Sequence, residues 1–329
     1  MKKQNRIIIG ASFAILVFAG LIMFFGCKKG ATLSLGVIPK ASFTATVESD
    51  GHTVFLVNTT STPSMAYYAA PDINLGFNDL KGDTASVNFT FAGTYTIKML
   101  AVGAGGVDSA STQVTTTVPD PAGCDPSKPL GFIASCTQKT WKVNPAAGAF
   151  IVSQFPGGNG YWWGNGTSDI TGRSACFNDE YTFKYDRAGD FVFNDQGDWF
   201  NDGSYPGSPG GNNSDNLYTA KQAAWGSGNF NYSVSSGTGI MKLGQLKVMG
   251  FGAHLVLQAP INGSDTAKYV TASSVTYDIW NMKKDTTDAT GTYDLLTLTI
   301  QYCASCGTGS YNGNSNFPAG WWTYVLRSY

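Results

Sequence analysis

The sequence predicts an all-β protein made of two β-sandwiches, a smaller one followed by a larger one. The chain of 329 residues contains 40 glycines and is rich in aromatic, serine, threonine and asparagine residues, which favours short strands joined by turns. Only 13% of its residues are charged, and Glu48 and Glu180 are its only glutamates, whereas long helices rely on glutamate and lysine. The net charge of −1 gives no electrostatic reason to expect a nucleic acid partner.

The N-terminal segment has the composition of a membrane-targeting signal. Lys2, Lys3 and Arg6 give it a positive start, and residues 7–25 form an uncharged, mostly apolar run. These 19 residues are also enough to cross a bilayer, so an uncleaved membrane span is the alternative interpretation. In both cases the rest of the chain is tethered to a membrane and faces an extracytoplasmic space.

The junction after this run resembles a bacterial lipoprotein signal. Gly26 is followed by Cys27, as at the cleavage site of that family, although Phe24 stands where the family usually has leucine. The resemblance implies a signal peptide over residues 1–26, lipidation of Cys27 and a lipid-anchored tether over residues 27–38. It also implies attachment to the outer membrane, with the chain facing the cell exterior.

The smaller sandwich is predicted over residues 39–118. Roughly seven short strands in this stretch are typical of an immunoglobulin-like domain. The strands that the sequence pattern marks out cover residues 41–47, 53–57, 86–91, 92–99 and 109–118.

The same residues resemble a PKD domain. The opening motif of that family is matched by Pro39, Ala41 and Phe43, its turn by the Asn-Thr-Thr of residues 58–60, and a later strand by residues 93–97. The Trp-Asp-Phe-Gly-Asp-Gly segment of the family is missing. PKD domains usually act as spacers or adhesive modules, so the resemblance implies reach from the membrane and no chemistry.

The larger sandwich is predicted over residues 119–329, after a proline-containing linker at residues 118–123. Its strand pattern and turn-rich joints favour a two-sheet, jelly-roll-like β-sandwich. Two long loops rich in glycine and asparagine, residues 156–166 and 203–216, are expected to be functional. The predicted strands cover residues 140–143, 149–152, 180–185, 190–193, 239–243, 254–257, 274–280, 293–300 and 321–327.

Five cysteines remain if Cys27 is lipidated. Cys303 and Cys306 have CxxC spacing, which favours a disulfide over a zinc site, because the chain contains no second CxxC pair. Cys124 and Cys136 flank a short loop and could pair with each other, but the spacing leaves the connectivity open.

All eight tryptophans lie in the second predicted domain. Those inside alternating strands, Trp141, Trp280 and one of Trp321 or Trp322, are expected to fill the core. Aromatic rings elsewhere can stack on the C–H faces of sugars, while asparagine hydrogen-bonds their hydroxyl groups. The predicted ligand-binding residues are Tyr161, Trp162, Trp163, Asn165, Trp199 and Trp225.

An acidic stretch in this domain is a candidate calcium site. Asp195, Asp198, Asn201 and Asp202 offer the hard oxygen ligands that calcium prefers. Their spacing does not match an EF-hand, and turns favour these residues for other reasons. The sequence therefore leaves two alternatives, a protein without cofactors and a protein with a structural calcium ion.

Catalysis is the weaker interpretation of this domain. A glycosidase normally needs two facing carboxyl groups, and Glu180 is the single glutamate here. Its neighbour Asp179 should point to the opposite face of a strand, although a pair of aspartates stays open. His52 and His254 are the only histidines and lie in different domains, which disfavours a catalytic triad.

The whole layout resembles lipoproteins of Bacteroidota polysaccharide-utilisation loci. The features that carry this resemblance include Trp141, the Trp162–Trp163 pair, Arg173, and residues 179–183 and 321–322. It implies a surface lipoprotein that captures a polysaccharide or oligosaccharide for uptake beside an outer-membrane importer. The alternatives are an adhesion or structural surface protein and a jelly-roll glycoside hydrolase.

Overall fold

The structure is a computed structural model that describes residues 36–201, 210–214, 223–257, 272–302 and 320–329. The predictions for the N-terminal segment with Cys27, and those for Asp202, Cys303 and Cys306, therefore lie outside the described residues. Within the described ranges, no helix is both long enough and apolar enough to span a bilayer.

The chain divides into two compact units. Among the described residues, the first consists of residues 36–46, Phe55–Val87 and Tyr95–Val114, and the second of Val47–Val54, Asn88–Thr94 and those from Thr115 onward. Three short segments of residues 39–118, the third being its last four residues, thus belong to the second unit, which sequence periodicity alone does not reveal. The domain limits drawn from the sequence stay a prediction.

The first unit is a sandwich of two sheets, the first of three strands and the second of four. Phe43 of the first sheet contacts Tyr68 of the second, with their ring centroids 5.9 Å apart. Alternate residues such as Tyr95, Ile97 and Met99 are buried, as an amphipathic strand requires. Its strands are β1 (Phe43–Val47), β2 (Thr53–Asn58), β3 (Met65–Ala70), β4 (Leu75–Lys81), β5 (Thr84–Asn88), β6 (Gly93–Gly103) and β7 (Gly106–Thr116). The strand order is β1-β2-β5 in the first sheet and β4-β3-β6-β7 in the second.

The second unit contains twelve further strands among the described residues, and three short helices. The helices are α1 (Pro129–Ala134), α2 (Thr167–Gly172) and α3 (Ser174–Phe177). The strands are β8 (Gln138–Val143), β9 (Phe150–Ser153), β10 (Tyr161–Gly164), β11 (Glu180–Lys184), β12 (Asp190–Asn194), β13 (Asp198–Asn201), β14 (Gly211–Ser214), β15 (Gly228–Ser236), β16 (Gly244–Met249), β17 (Ser274–Asp288), β18 (Gly291–Gln301) and β19 (Trp321–Ser328).

Ten of these strands form one antiparallel sheet in the order β10-β9-β19-β18-β17-β16-β15-β12-β11-β8. Residues 326–328 of β19 also pair with residues 141–143 of β8, which closes eight of the strands into a ring. Residues 321–324 of β19 pair instead with β9, so the hairpin of β9 and β10 extends the sheet beyond the ring.

The all-β prediction with sandwich-like sheets is confirmed. The strand order defines the topology of the second unit more closely than the predicted jelly-roll-like sandwich does. From β11 onward each strand of the ring neighbours the next one along the chain, whereas a jelly roll is built from two Greek keys. Local alternation predicts that a strand exists, but not which strand it pairs with.

Side chains fill the inside of the ring. Aromatic side chains from neighbouring strands stack there. The centroids of Tyr181 and Phe193 are 5.3 Å apart, and those of Phe183 and Phe191 are 4.8 Å apart. Eight strands leave an interior about wide enough for side chains. Trp141, as predicted, is fully buried, and its Nε1 donates a hydrogen bond to the Ile133 carbonyl at 2.8 Å.

Two predicted strands are irregular segments in the structure. Residues 239–243 cannot stay extended, because Gly239 and Lys242 have φ angles of +76° and +58°. Residues 254–257 are buried, but their backbone is not paired in a sheet. The hydroxyl of Tyr277 accepts from the N–H of Leu255, at 2.8 Å, and a second tyrosine hydroxyl serves the following residue in the same way.

A disulfide joins Cys124 and Cys136. It closes the segment that carries α1, whose residues pack into the core of the second unit. The pairing that the sequence left open is thus present in the structure.

Candidate functional site

The candidate site is built on the hairpin of β9 and β10. A one-turn 3-10 segment at Pro156–Gly158 joins the two strands, and the N–H of Gln154 donates to the Gly160 carbonyl across it, at 2.9 Å. The sequence predicts a loop here, and this prediction is wrong for Trp162 and Trp163. Both lie on β10, because pairing with β9 satisfies the backbone of this glycine-rich stretch.

Gly157 fixes the hairpin turn against β17. Its φ angle is +71°, a conformation that favours glycine, and a Cβ at this position would overlap the indole of Trp280. Its N–H also donates to the hydroxyl of Thr299 on β18, at 3.4 Å. The turn is therefore held in place by residues from two strands of the ring.

Tyr161 and Trp162, called here the aromatic pair, present large rings to solvent. Tyr161 is 63% exposed and Trp162 is 44% exposed. The register of β10 against β9 shifts between Tyr161 and Trp163, which places Trp162 at a β-bulge. The Tyr161 ring lies over Gly164, where a Cβ would be only 3.0 Å from its Cε2 atom. Pairing of β10 with β9 thus fixes the backbone that carries both rings, and the missing Cβ of Gly164 leaves room for the Tyr161 ring.

Trp163 packs inward, unlike its neighbour. Its ring meets Trp322 of β19 edge to face, with the centroids 6.3 Å apart. The guanidinium of Arg173 lies over the same Trp163 ring at 5.0 Å and over the Phe200 ring at 4.6 Å. The planar Arg173 group is thereby stacked on two aromatic rings beside the aromatic pair.

The role of Arg173 was not predicted from the sequence. The signal that could have found it is its position as one of three arginines after residue 118, ten residues beyond Trp163 in a chain with few charges. Its two ring partners come from β10 and β13, so the stack forms only when these strands are brought together.

Asn165 is not available to a ligand, which corrects its predicted role. Its side chain is buried, and its Oδ1 accepts from the N–H of Phe150 at 2.8 Å. Its Nδ2 donates to the carbonyls of Ala146 and Gly166, at 3.0 and 3.3 Å. Both ends of the amide therefore brace the end of β10.

The predicted ligand-binding roles of Trp199 and Trp225 are also wrong, because these side chains are only 3% and 2% exposed. Trp199 lies on β13, which pairs with β14, so the predicted loop is a small sheet that turns this ring inward. Trp225 packs edge to face against His254, with the ring centroids 5.3 Å apart. Neither ring can stack on a sugar unless the core opens.

The acidic residues proposed for calcium are bonded to protein groups. Asp195 accepts from the hydroxyl and the N–H of Ser227, at 2.6 and 3.1 Å, and Asp198 accepts from the Asn178 amide at 3.1 Å. Burial raises the pKa of Asp198, which opposes the charge that a metal ligand needs. In the described part of the chain, no group of three or more His, Cys, Asp or Glu side chains is placed to hold a metal.

One cluster of three aspartates among the described residues leaves no room for a glycan. Asp179, Asp195 and Asp198 line one cavity of about 10 Å³, which has room for about one water molecule. A sugar ring cannot enter between them. Glu180 forms an ion pair with Lys142 at 2.8 Å, and this hydrogen bond holds the pKa of the carboxyl below its usual value, whereas a general acid needs a raised pKa.

Comparison with known proteins finds solved structures that are similar to one quarter of the chain. The PKD1 domain of the Vibrio cholerae metalloprotease PrtV is 20% identical over 25% of this chain and 100% of that domain, with a TM-score of 0.22. The PKD1 domain of Vibrio anguillarum Epp is 20% identical over 25% of this chain and 98% of that domain, with a TM-score of 0.21. No protein-family model matches the chain, and neither does any curated protein.

Proposed function

We propose that this protein binds carbohydrate at the aromatic pair of β10. The observation that carries the proposal is the exposure of two adjacent large rings, Tyr161 and Trp162, on a strand anchored to the ring of the second unit. The faces of such rings stack on the apolar C–H faces of sugars and bury apolar area. Tyrosine and tryptophan do this at a low cost in conformational entropy.

The aromatic pair is prepared for binding before a ligand arrives. Gly157 holds the hairpin turn against Trp280, and the Tyr161 ring lies over Gly164. A ligand therefore pays little to order these groups, which is the physical basis of pre-organised recognition. Trp162 lies at a bulge, a feature common where a strand re-aims a side chain.

The proposed setting is the outer membrane, with the chain anchored through a lipid on Cys27 and facing the cell exterior. The N-terminal positive residues, the apolar run and the Gly26–Cys27 junction support this part of the proposal. The PKD-like first unit would act as a spacer between membrane and binding site. A polysaccharide or oligosaccharide bound there would be passed to an outer-membrane importer.

A glycan panel tests the proposal with the full-length protein in detergent. Saturable binding to at least one polysaccharide is expected. Trp162→Ala should weaken that binding about thirty-fold, since losing an aromatic anchor costs about 2 kcal/mol. Phe251→Ala is the matched control, because Phe251 is 69% exposed and follows β16, which four strands separate from β10 in the sheet.

Three results would contradict the proposal. Equal binding by Trp162→Ala and Phe251→Ala would remove the aromatic pair from the site. Absence of saturable binding to every glycan would favour an adhesion or structural role. Reducing ends that accumulate with time, and no longer do so in Glu180→Gln, would show a glycoside hydrolase.

A further inference from the structure

The stacked guanidinium of Arg173 differs from the other stacked cations of the second unit. Each of the others that the structure describes lies over an aromatic ring and also forms an ion pair with a carboxylate. They are Lys139 with Asp294 at 2.7 Å, Lys142 with Glu180 at 2.8 Å and Arg327 with Asp288 at 3.0 Å.

Arg173 has the aromatic contacts but forms no ion pair within the described residues. The nearest carboxylate along the chain, on Asp169, accepts instead from the N–H of Gly166 at 2.7 Å and caps α2. Trp163 and Phe200 cover the flat apolar surface of the guanidinium. Its N–H donors lie in the plane of the group, so the two stacked rings do not cover them.

An in-plane fork of N–H donors matches a planar carboxylate, which it binds through two parallel hydrogen bonds. Stacking restricts the side chain in advance, so less rotamer freedom is lost when the anion arrives. Trp163, which carries Arg173, directly follows Trp162 of the aromatic pair, and the bulge at this point of β10 interrupts the alternation that would otherwise set their side chains on opposite faces.

We propose that Arg173 binds a carboxylate of the glycan, so that the ligand of this protein is an acidic polysaccharide of the uronate class. This inference rests on the proposed function, because it names the class of sugar taken by the aromatic pair. The aromatic pair would then stack on the neutral part of the glycan, and Arg173 would pair with a carboxylate of the same glycan.

The test compares three probes on the full-length protein in detergent. They are a panel of uronate oligosaccharides (oligogalacturonate and oligoalginate), the methyl esters of the same oligosaccharides, and a sulfated carrageenan oligosaccharide. At least one uronate should bind ten-fold or more tightly than its methyl ester, because charge-assisted hydrogen bonds are lost on esterification. Rising salt should weaken binding of the acid but not of the ester.

Arg173→Gln should abolish the preference for acid over ester, and Arg173→Lys should restore only part of it, because a lysine keeps the charge but lacks the planar fork. Arg187→Gln is the control, since Arg187 is an exposed arginine of the same unit. Trp162→Ala should weaken acid and ester alike. Circular dichroism of each variant shows whether it folds.

The outcomes separate this inference from the proposed function. Wild-type protein that binds neutral glycans or esters as tightly as acids, or Arg173→Gln that keeps the preference, would overturn the uronate assignment and leave the aromatic pair as the site. Preference for the sulfated probe alone would show that the anion bound by Arg173 is a sulfate and would overturn the assignment of a carboxylate. No binding to any glycan would overturn both. If Arg173→Gln fails to fold, the wild-type comparison of acid with ester decides.

Discussion

Gly157 lies so close to Trp280 that any side chain at residue 157 would overlap the indole ring. The contact joins the turn of the β9–β10 hairpin to β17 and sets the position of the aromatic pair. A glycine is required for two separate reasons, the overlap and a φ angle of +71°.

The first prediction separates these two reasons. Gly157→Ala should destabilise the protein by about 1–3 kcal/mol more than Gly148→Ala, because overlap in a packed site adds to backbone strain. Gly148 is the matched control, with a φ of +78° but no atom within 4 Å of an added Cβ. Urea unfolding gives the two free energies, and equal losses would show that the contact with Trp280 does not matter.

The second prediction concerns two tryptophans of the same unit. Trp141→Ala should cost about 3–5 kcal/mol of unfolding free energy, because its ring is fully buried and a cavity remains. Trp162→Ala should change this free energy by no more than about 0.5 kcal/mol, as is usual for exposed positions. A large loss for Trp162→Ala would place that ring in the core and count against its binding role.

The third prediction is a pH dependence caused by His254. This side chain is fully buried, and its Nδ1 lies 2.9 Å from the Gly252 carbonyl, so Nδ1 is the nitrogen that carries the proton and donates. Burial lowers the pKa of the imidazole from 6.5 to about 4. Between these pH values the unfolded chain binds a proton that the folded chain does not, so stability falls as the pH is lowered through this window.

The size of the effect follows from the pKa shift. The His254 contribution should amount to ~3 kcal/mol lost between pH 6.5 and pH 4. His254→Asn keeps a donor for Gly252 but cannot titrate, and other ionisable groups are common to both proteins. The stability of the wild type should therefore fall more steeply on acidification than that of the variant. Parallel curves would show that His254 does not govern this window.

The fourth prediction concerns the disulfide between Cys124 and Cys136, which are 12 residues apart. Replacing both with serine should lower the free energy of unfolding by about 3 kcal/mol, since the cross-link restricts the unfolded chain. A reducing agent should destabilise the wild type more than the double variant, which keeps only the disulfide predicted between Cys303 and Cys306. If reduction has the same effect on both, another disulfide is responsible.

The fifth prediction rests on the N-terminal sequence. Cys27→Ser should block lipidation and move the protein out of the detergent-extracted membrane fraction, because the thiol is the expected acceptor of the lipid. Metabolic labelling with a radioactive fatty acid measures the modification, and cell fractionation measures the location. Lipid label that persists in Cys27→Ser would contradict the lipoprotein hypothesis. Absence of lipid label in the wild type itself would favour the uncleaved span.

Local pattern was enough to predict much of the fold. Alternating residues in β8, β11 and β12 marked them as half-buried strands, because side chains along a strand point to opposite faces in turn. The glycine-rich, glutamate-poor composition predicted the all-β class. Trp141 was assigned to the core for the same reason, since it lies in an alternating strand.

Tertiary structure decided which residues meet. The pairing of β8 with β19 closes the ring, and Arg173 stacks on rings from two different strands. Trp199 and Trp225 looked like loop residues but are buried. The physical reason is that sequence periodicity shows which face of a single segment is apolar. Burial and stacking depend on which distant segments pack against that face.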